Sequence, residues 1–361
     1  MAIDFVHGGQ ASGSVAARLL NMPRPDINVL RPYIGNNGRT YVDRWVGINP
    51  KTGKAQYTPE RVHNTEAFLR KEEWVMMDQV VERVARSSLR FVGDVKGAGL
   101  VRTIPDGMGV TVVQYQTETD WGSATLSMNG LRQTNRDRPT RDIKGTPLPI
   151  GHADWSFDLR DLMVSRRMGV GLDMSGLEQE TRRLMEQTEK LYLGVLDSYS
   201  FAGYSVYGVR NTPARVAYSL TLPTDSAWSP QLHFREVLGM VQALKDINFD
   251  GPYGLYYSRG WWQYLGDDYS ETYNRGSSFN RILELPDIGF LRTANYLPDF
   301  EVVLIQFTQN VIRSLDGMQP RLVQWDSHGG LQLNWKLMQI DVPELRSNAD
   351  GDTGIVHGVA S

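Results

Sequence analysis

The sequence predicts an α+β protein, because helical and strand patterns alternate along one chain. A stripe of apolar residues at helical spacing indicates a first helix and consists of Trp74, Met77, Val81 and Val84. Ser175 and Glu178 have the spacing of a capping box and predict the start of a longer helix over 175–194. The continuous apolar run at 301–306 and the alternation over 331–342 predict strands.

Composition places the chain among folded proteins and excludes several functions. Its 361 residues, 41% apolar and 22% charged, suffice for two or three domains with a sizeable core. A net charge of −3 argues against a dedicated reader of duplex DNA, whose domain is usually basic. The absence of cysteine excludes a disulfide framework, a thiolate zinc site and a cysteine nucleophile. No apolar run approaches the roughly 20 residues of a membrane span, so we expect no membrane partner.

Residues 1–58 differ from the rest of the chain and are expected to form an extended N-terminal arm. They carry seven basic and three acidic residues, a net charge of +4. No helical or alternating period persists in them, yet they hold too many apolar residues for a solvated tail. Such an arm either crosses to a neighbouring subunit, which is the interpretation we favour, or packs on its own domain. In the first case Tyr33, Tyr41 and Trp45 are the candidate inter-subunit contacts.

A long projecting hairpin is predicted over 110–150, after a helical region at 59–109. Thr58-Pro59-Glu60 is a helix-start signal, and the helix is expected to continue to about Phe91. Residues 110–115 and 124–128 have strand patterns within the hairpin. A polar, basic stretch follows, which is either a solvated or interface face or a contact with nucleic acid. The candidate contacts of the hairpin are Trp121, Arg132, Arg136, Arg138 and Arg141.

The region 151–210 is expected to contain the longest helix. A strand at 155–159 leads into a short helix over 160–168, and the helix over 175–194 follows. Leu177, Leu184 and Leu191 are spaced by seven residues and leave polar residues on the other faces. One narrow apolar seam predicts a helix that lies across a surface rather than through a core.

The region 211–310 has the pattern of a compact α+β domain, and strands close the chain over 311–361. Its predicted helices are 230–246, 258–265 and 279–285, and its predicted strands are 252–257 and 301–306. The predicted closing strands are 311–313, 321–325 and 331–342.

No set of residues in the sequence predicts catalysis, and we expect no catalytic, cofactor-binding or metal-binding residues. The six histidines form no HExxH pair, and neither a GxSxG elbow nor a Walker A motif is present. Asp326-Ser327-His328 contains the residue types of a catalytic triad. Adjacent side chains point in different directions, however, so this segment is predicted to be a hairpin turn.

The order of segments resembles that of tailed-bacteriophage major capsid proteins and of encapsulins, which share one fold. Local sequences resemble the peripheral domain, spine helix and axial domain of encapsulins. They are residues 74–91, Trp155–Arg160 with Leu172-Asp173, Leu177–Gly194 with Tyr207-Gly208, and Gly251–Tyr256. The resemblance covers about 60–360.

The resemblance implies a peripheral domain from 59–109, 151–210 and 311–361, an axial domain at 211–310, and a spine helix at 175–194. It implies a structural protein without enzyme activity or cofactor. Copies would assemble as hexamers and pentamers into an icosahedral shell.

The resemblance leaves two kinds of shell open. A phage head would have portal, scaffold and decoration proteins as further partners and would package double-stranded DNA non-specifically. It would be assembled in the host bacterial cytoplasm and located in the virion. An encapsulin-like nanocompartment would instead hold a cargo enzyme. The 58-residue arm and the long projecting hairpin depart from encapsulins and favour the phage head.

Overall fold

The fold is divided between two units. The computed structural model describes residues 31–49, 55–62, 69–118, 128, 141–168, 174–267, 269, 276–348 and 350–360. The first unit comprises Met1–Ser88, Gly151–Leu184 and Gln319–Gln339. The second unit comprises Leu89–Ile150, Met185–Met318 and Ile340–Ser361.

The described residues form both helices and strands, which confirms the predicted α+β class. The helices are α1 (Lys71–Ser88), α2 (Phe91–Gly97), α3 (Leu159–Met168), α4 (Ser175–Leu193), α5 (Pro230–Asp246), α6 (Trp262–Gly266) and α7 (Ser278–Leu283). The strands are β1 (Tyr33–Ile34), β2 (Thr40–Ile48), β3 (Ala55–Arg61), β4 (Val101–Thr103), β5 (Val112–Glu118), β6 (Arg141–Pro147), β7 (Gly151–Asp158), β8 (Tyr199–Phe201), β9 (Tyr204–Val206), β10 (Val216–Leu220), β11 (Tyr253–Tyr257), β12 (Ile288–Thr293), β13 (Glu301–Gln306), β14 (Ile312–Ser327), β15 (Gln332–Leu345) and β16 (Ile355–Ala360). None of the helices in the described part of the chain is long and apolar enough to span a membrane.

The described part of the first unit begins with a three-stranded antiparallel sheet in the order β1–β2–β3. We expected an extended arm before residue 58 and a helix from Thr58. The described part of the arm contains strands β1 to β3, and the predicted helix start is wrong. Thr58, Pro59 and Glu60 lie in β3 and pair with β2. Proline is tolerated there because β3 is an edge strand, whose outer side forms no ladder bond.

Helix α1 packs through the predicted apolar stripe. The buried residues of this stripe are Trp74, Met77, Val81 and Val84. The helix begins at Lys71 and ends at Ser88, and a separate helix, α2, begins at Phe91. The indole N–H of Trp74 donates to the carbonyl oxygen of Pro32 at 3.1 Å, so the chain ahead of the sheet contacts this helix.

Helix α4 confirms the predicted long helix and its seam. Of the three predicted seam leucines, Leu177 and Leu184 are buried and Leu191 is half-buried. Thr181 and Thr188, which lie between them, are buried as well. The second half of the helix buries more of its circumference than one narrow seam, because Met185, Tyr192 and Leu193 are also buried. The prediction of a helix lying across a surface is therefore wrong for its second half, which lies in the core of the second unit.

Helix α4 ends where two glycine backbones approach each other. Gly194 follows the helix with a φ of +74°, the left-handed conformation that commonly ends helices. A Cβ atom on Gly208 would collide with the backbone nitrogen of Gly194 and the carbonyl oxygen of Leu191. Only glycine fits at position 208.

The second unit is built on a five-stranded sheet in the order β10–β16–β13–β11–β12. Residues 301–305 of β13 are all buried, which confirms the predicted buried strand. Val302 and Leu304 point to one side of the sheet and pack in a cluster with residues of α5. Val303 and Ile305 point to the other side and pack in a cluster with residues of α2 and α4. The sheet is therefore covered by helices on both faces.

Strands β5 and β6 form the base of the predicted projecting hairpin. They pair antiparallel from Val112 opposite Pro147 to Glu118 opposite Arg141. The returning strand is thus 141–147. Residues 124–127, where most of that strand was expected, lie outside the described residues, as do 119–123 and 129–140.

The closing strands are longer than predicted. Strand β14 is continuous over 16 residues where two short strands were expected. A short 3₁₀ turn over His328–Gly330 leads to β15 and confirms the predicted turn. Nδ1 of His328 lies 3.2 Å from the Ser327 hydroxyl, which also accepts a hydrogen bond from Asn334 at 2.9 Å. Asp326 and His328 are both exposed, as expected for a surface turn.

Glu189 in α4 gives the first testable prediction. Its buried carboxylate accepts hydrogen bonds from the backbone N–H groups of Phe91 (2.6 Å) and Val92 (3.3 Å) at the start of α2. Burial raises the pKa of Glu189, and these backbone hydrogen bonds offset the rise only in part. A raised pKa in the folded state favours the protonated form. The associated stabilisation is therefore complete below the unfolded-state pKa and is lost as pH rises through the folded-state value.

Glu189→Gln cannot ionise, so the wild type should lose stability relative to this variant as pH rises. Urea unfolding of the free subunit at pH 4 and pH 7 measures the difference. The matched control on the same helix is Glu180→Gln, whose carboxylate pairs with the exposed Arg183. This control should follow the wild type at both pH values. A difference between wild type and Glu189→Gln that is equal at both pH values would contradict the prediction.

Candidate inter-subunit surfaces

The β2–β3 ribbon carries three large apolar side chains at its surface. Trp45 is 39% exposed, Val46 60% and Tyr57 42%. Trp45 lies opposite Tyr57 in the register of the ribbon, and directly opposed side chains share one face. The register shifts between Trp45 and Gly47, at Val46. Trp45 and Tyr57 therefore form an exposed apolar pair, and exposed apolar patches are a feature of protein–protein contacts.

Tyr33, in contrast, is engaged within its own subunit. The side chain is buried, and its hydroxyl donates to Oδ1 of Asp43 at 2.9 Å. Burial raises the pKa of Tyr33 to about 12, and the hydrogen bond to Asp43 and the charge of that carboxylate add to the rise. Its ring stacks on that of Tyr41, with centroids 6.2 Å apart, and lies 5.1 Å from Nζ of Lys71. Of the three aromatic candidates in this segment, Trp45 is the one with the most exposed ring.

The chain just before β1 is fixed to α1 of the same subunit. Arg31 donates to both carboxylate oxygens of Asp78 at 2.8 Å. Its guanidinium also lies 4.6 Å from the ring centroid of Trp74. The described part of the expected arm is therefore packed on its own unit, while Trp45, Val46 and Tyr57 remain at the surface.

The β5–β6 ribbon contains the one hairpin candidate that falls within the described residues. Arg141 pairs with Glu118 at 2.7 Å across the ribbon, and both side chains are largely exposed. The neighbouring Ile143 is 51% exposed. The other four hairpin candidates, Trp121, Arg132, Arg136 and Arg138, lie outside the described residues.

Helix α3 has an exposed apolar surface that the sequence patterns did not predict. Leu162 is buried, whereas Met163, Val164 and Met168 are 61%, 43% and 72% exposed. The sequence did contain a signal for this exposed surface. Residues 162 and 164 lie about 200° apart on a helix, so both cannot face one core.

The buried histidines serve the core. His357 Nε2 lies 2.9 Å from the Glu301 carboxylate, which Arg210 holds through two hydrogen bonds of 2.6 and 2.9 Å. Burial by itself raises the pKa of Glu301. The interactions with His357 and Arg210 lower that pKa by more than burial raises it, so the pKa lies below its usual value. Within the described ranges, no group of three or more His, Asp or Glu side chains is placed to hold a metal ion. The arrangement is that of a structural ion-pair network.

Several solved shell structures have the same fold. The chain is similar to the virus-like particle from Pyrococcus furiosus, with a TM-score of 0.54, 12% identity, and coverage of 79% of this chain and 99% of that one. It is similar to the capsid of Myoviridae phage XM1, with a TM-score of 0.57, 12% identity, and coverage of 73% and 90%. It is also similar to the capsid of an empty GTA particle, with a TM-score of 0.53, 11% identity, and coverage of 84% and 95%. The protein therefore has the predicted fold of tailed-phage capsid proteins and encapsulins.

Sequence comparison places the chain in a family. Residues 64–358 match the family described as "Family of unknown function (DUF6260)", and the chain belongs to it. A curated relative, the type 1 encapsulin shell protein EncA of Myxococcus xanthus, is 26% identical over 216 residues. That similarity covers 59% of this chain and 69% of EncA.

Alanine substitutions at two tryptophans of the first unit distinguish a ring that stabilises the core from a ring that lies at the surface. Trp74→Ala removes a buried ring that contacts Arg31 and Pro32, and should lower the free energy of unfolding by about 3–5 kcal/mol. Trp45→Ala removes a ring on the ribbon surface, and should cost about 1 kcal/mol or less in the free subunit. Chemical unfolding monitored by circular dichroism measures both. Equal losses for the two variants would show that Trp45 belongs to the core of its own subunit.

Proposed function

We propose that this chain is the major capsid protein of a tailed bacteriophage. Copies assemble as hexamers and pentamers into an icosahedral head around the double-stranded DNA genome. The observation that carries the proposal is the shell fold, whose similarity to the phage XM1 and GTA capsids extends over 73% and 84% of the chain. The two ribbons, with exposed apolar side chains at Trp45, Val46, Tyr57 and Ile143, supply surfaces for neighbouring copies.

Two features distinguish a phage head from an encapsulin in this proposal. The β1–β3 sheet lies ahead of the 64–358 segment that matches the family. Strands β5 and β6 pair from Val112 opposite Pro147 to Glu118 opposite Arg141, and 22 residues of the sequence connect them. An additional N-terminal segment and a long loop suit a shell in which subunits overlap their neighbours. Portal, scaffold and decoration proteins are the partners that such a head would need.

We propose an axial domain at 211–310 and a peripheral domain at 59–109, 151–210 and 311–361, with one exception to the predicted bounds in the last of these segments. The last strand is assigned to the axial domain, because β16 pairs with β10 and β13 in the five-stranded sheet. The spine of the peripheral domain is α4.

An encapsulin-like nanocompartment is the alternative function. The similarity to EncA, at 26% identity over 216 residues, favours it. In that case the shell would enclose a cargo enzyme, and the contents of the particle distinguish the two functions.

Particles isolated from the natural source should contain nuclease-protected double-stranded DNA. Electrophoresis of nucleic acid and protein after disruption of the particles measures the contents. A particle that holds a stoichiometric enzyme and no DNA would support the encapsulin alternative. Sedimentation of the purified chain, with any scaffold present, tests assembly itself. A monodisperse monomer across concentrations and solution conditions would contradict both functions.

Isolated subunits should bind duplex DNA weakly, because a head must hold its genome at high density and still release it. The net charge of −3 agrees with this expectation. Tight, sequence-independent binding would instead weaken steeply as salt rises, as for contacts made mainly to phosphate groups. Fluorescence anisotropy of a labelled duplex at two salt concentrations measures it, and nanomolar affinity at physiological salt would contradict the proposal.

A further inference from the structure

Helix α1 presents a second regular face, on the side opposite its buried stripe. Glu72, Val75, Met76 and Gln79 are spaced i, i+3, i+4 and i+7, so they share one face of the helix. All four side chains are exposed, and the exposed fractions of Val75 and Met76 are 48% and 50%. Apolar residues at this spacing are typical of a helix face that packs on another element.

The face of α1 carries one unpaired charge, the carboxylate of Glu72. Within the described part of α1, Glu72 is the charged side chain without an ion pair or hydrogen bond. The others are engaged in the pairs Lys71–Asp43, Arg31–Asp78 and Arg83–Glu178, in the bond from the Arg70 backbone to Glu73, and, for Glu82, in a further interaction. The α1 face is therefore apolar at its centre and negative at one end.

Helix α3, in the same unit, has a face with the same spacing and the opposite charge. Arg160, Met163, Val164 and Arg167 are again spaced i, i+3, i+4 and i+7, and all four are exposed. Met163 is 61% exposed and Val164 43%, and Met168, one turn beyond Val164, is 72% exposed. Neither arginine makes an ion pair or hydrogen bond within the described residues.

The two faces are complementary in length, polarity and charge. Each extends over about 10 Å of helix and places two apolar side chains between two polar ones. Asp161 lies at the edge of the α3 face and offsets one of its arginines, which leaves one positive charge against the one negative charge of Glu72. In either packing direction Glu72 meets one arginine, and the amide oxygen of Gln79 can accept from the other.

We propose that the α3 face of one copy docks on the α1 face of a second copy of this chain, an inference that rests on the proposed shell. Subunits related by a five- or sixfold axis contact each other through two different surfaces, so every copy must carry a complementary pair. The α1 and α3 faces are such a pair. Burial of their methionines and valines stabilises the contact, and the charges disfavour pairing of α3 with α3 or of α1 with α1.

Exchange of the charges between the two faces tests the proposal. Arg160→Glu/Arg167→Glu on α3 and Glu72→Arg/Gln79→Arg on α1 each place like charges opposite one another. Either double variant should raise the subunit concentration needed for shell formation by about tenfold or more. The variant with all four substitutions has opposite charges again and should assemble within about threefold of the wild-type concentration. It is the matched control, because it contains every substitution of the two double variants.

Light scattering and sedimentation measure assembly, and circular dichroism checks the fold of the free subunits. Wild-type assembly of either double variant, or a folded fourfold variant that does not recover assembly, would overturn this inference and leave the proposed function intact. A wild type that does not assemble would overturn both. Normal assembly of the α3 variant together with weaker binding of duplex DNA would assign the arginines to phosphate groups, and would also overturn the inference.

Crosslinking covers the case in which the charge variants do not fold. The chain has no cysteine, so Met76→Cys on α1 and Met163→Cys on α3 introduce its only thiols. In assembled shells of the double cysteine variant, a short bismaleimide should link copies into a ladder of covalent multimers on a denaturing gel. Each single variant should remain monomeric. Crosslinking of the single Met163→Cys variant, or a double variant that stays monomeric, would overturn the proposal.

Discussion

The burial of α4 is the constraint on which the rest of the structure depends. This helix is rich in polar residues, and buried polar groups need partners inside the protein. In its first half, the Thr181 hydroxyl donates to the carbonyl oxygen of Leu177 at 2.7 Å. In its second half, Glu189 accepts from the first backbone amides of α2, and Tyr192 donates to Asp341 at 2.5 Å. The position of α2 and the path of β15 in the second unit are therefore tied to this one helix.

Asp341 is the point at which four elements of the second unit meet. Its carboxylate accepts from Tyr192 of α4 and from the hydroxyl of Ser314 of β14 at 3.0 Å, and it pairs with Lys96 of α2 at 2.6 Å. Burial raises the pKa of Tyr192 well above its usual value, and the charge of Asp341 adds to the rise, so the phenol remains a donor. Loss of the carboxylate would leave several buried donors unpaired, each at a cost of about 1–3 kcal/mol.

Sequence patterns predicted α1 and α5, which bury one regular face, and β13, whose continuous apolar run is buried on both faces. They failed for β2 and β3, because the register shift between Trp45 and Gly47 interrupts the alternation and Pro59 lies in an edge strand. The candidate surface was predicted only in part. Tyr33 and Trp45 are both aromatic residues of the arm, so the sequence provided no reason to treat them differently. In the structure Tyr33 is buried and bonded to Asp43, whereas Trp45 is exposed, and only the tertiary structure shows this difference.

The central claim is that copies of this chain form a closed shell through surfaces that the single subunit leaves exposed. Cryo-electron microscopy of the assembled wild-type chain tests this claim most directly. We predict closed icosahedral particles in which a neighbouring copy covers Trp45, Val46 and Tyr57, while Tyr33 stays inside its own subunit. Irregular aggregates, or a shell in which Trp45 and Tyr57 still face solvent, would contradict the account.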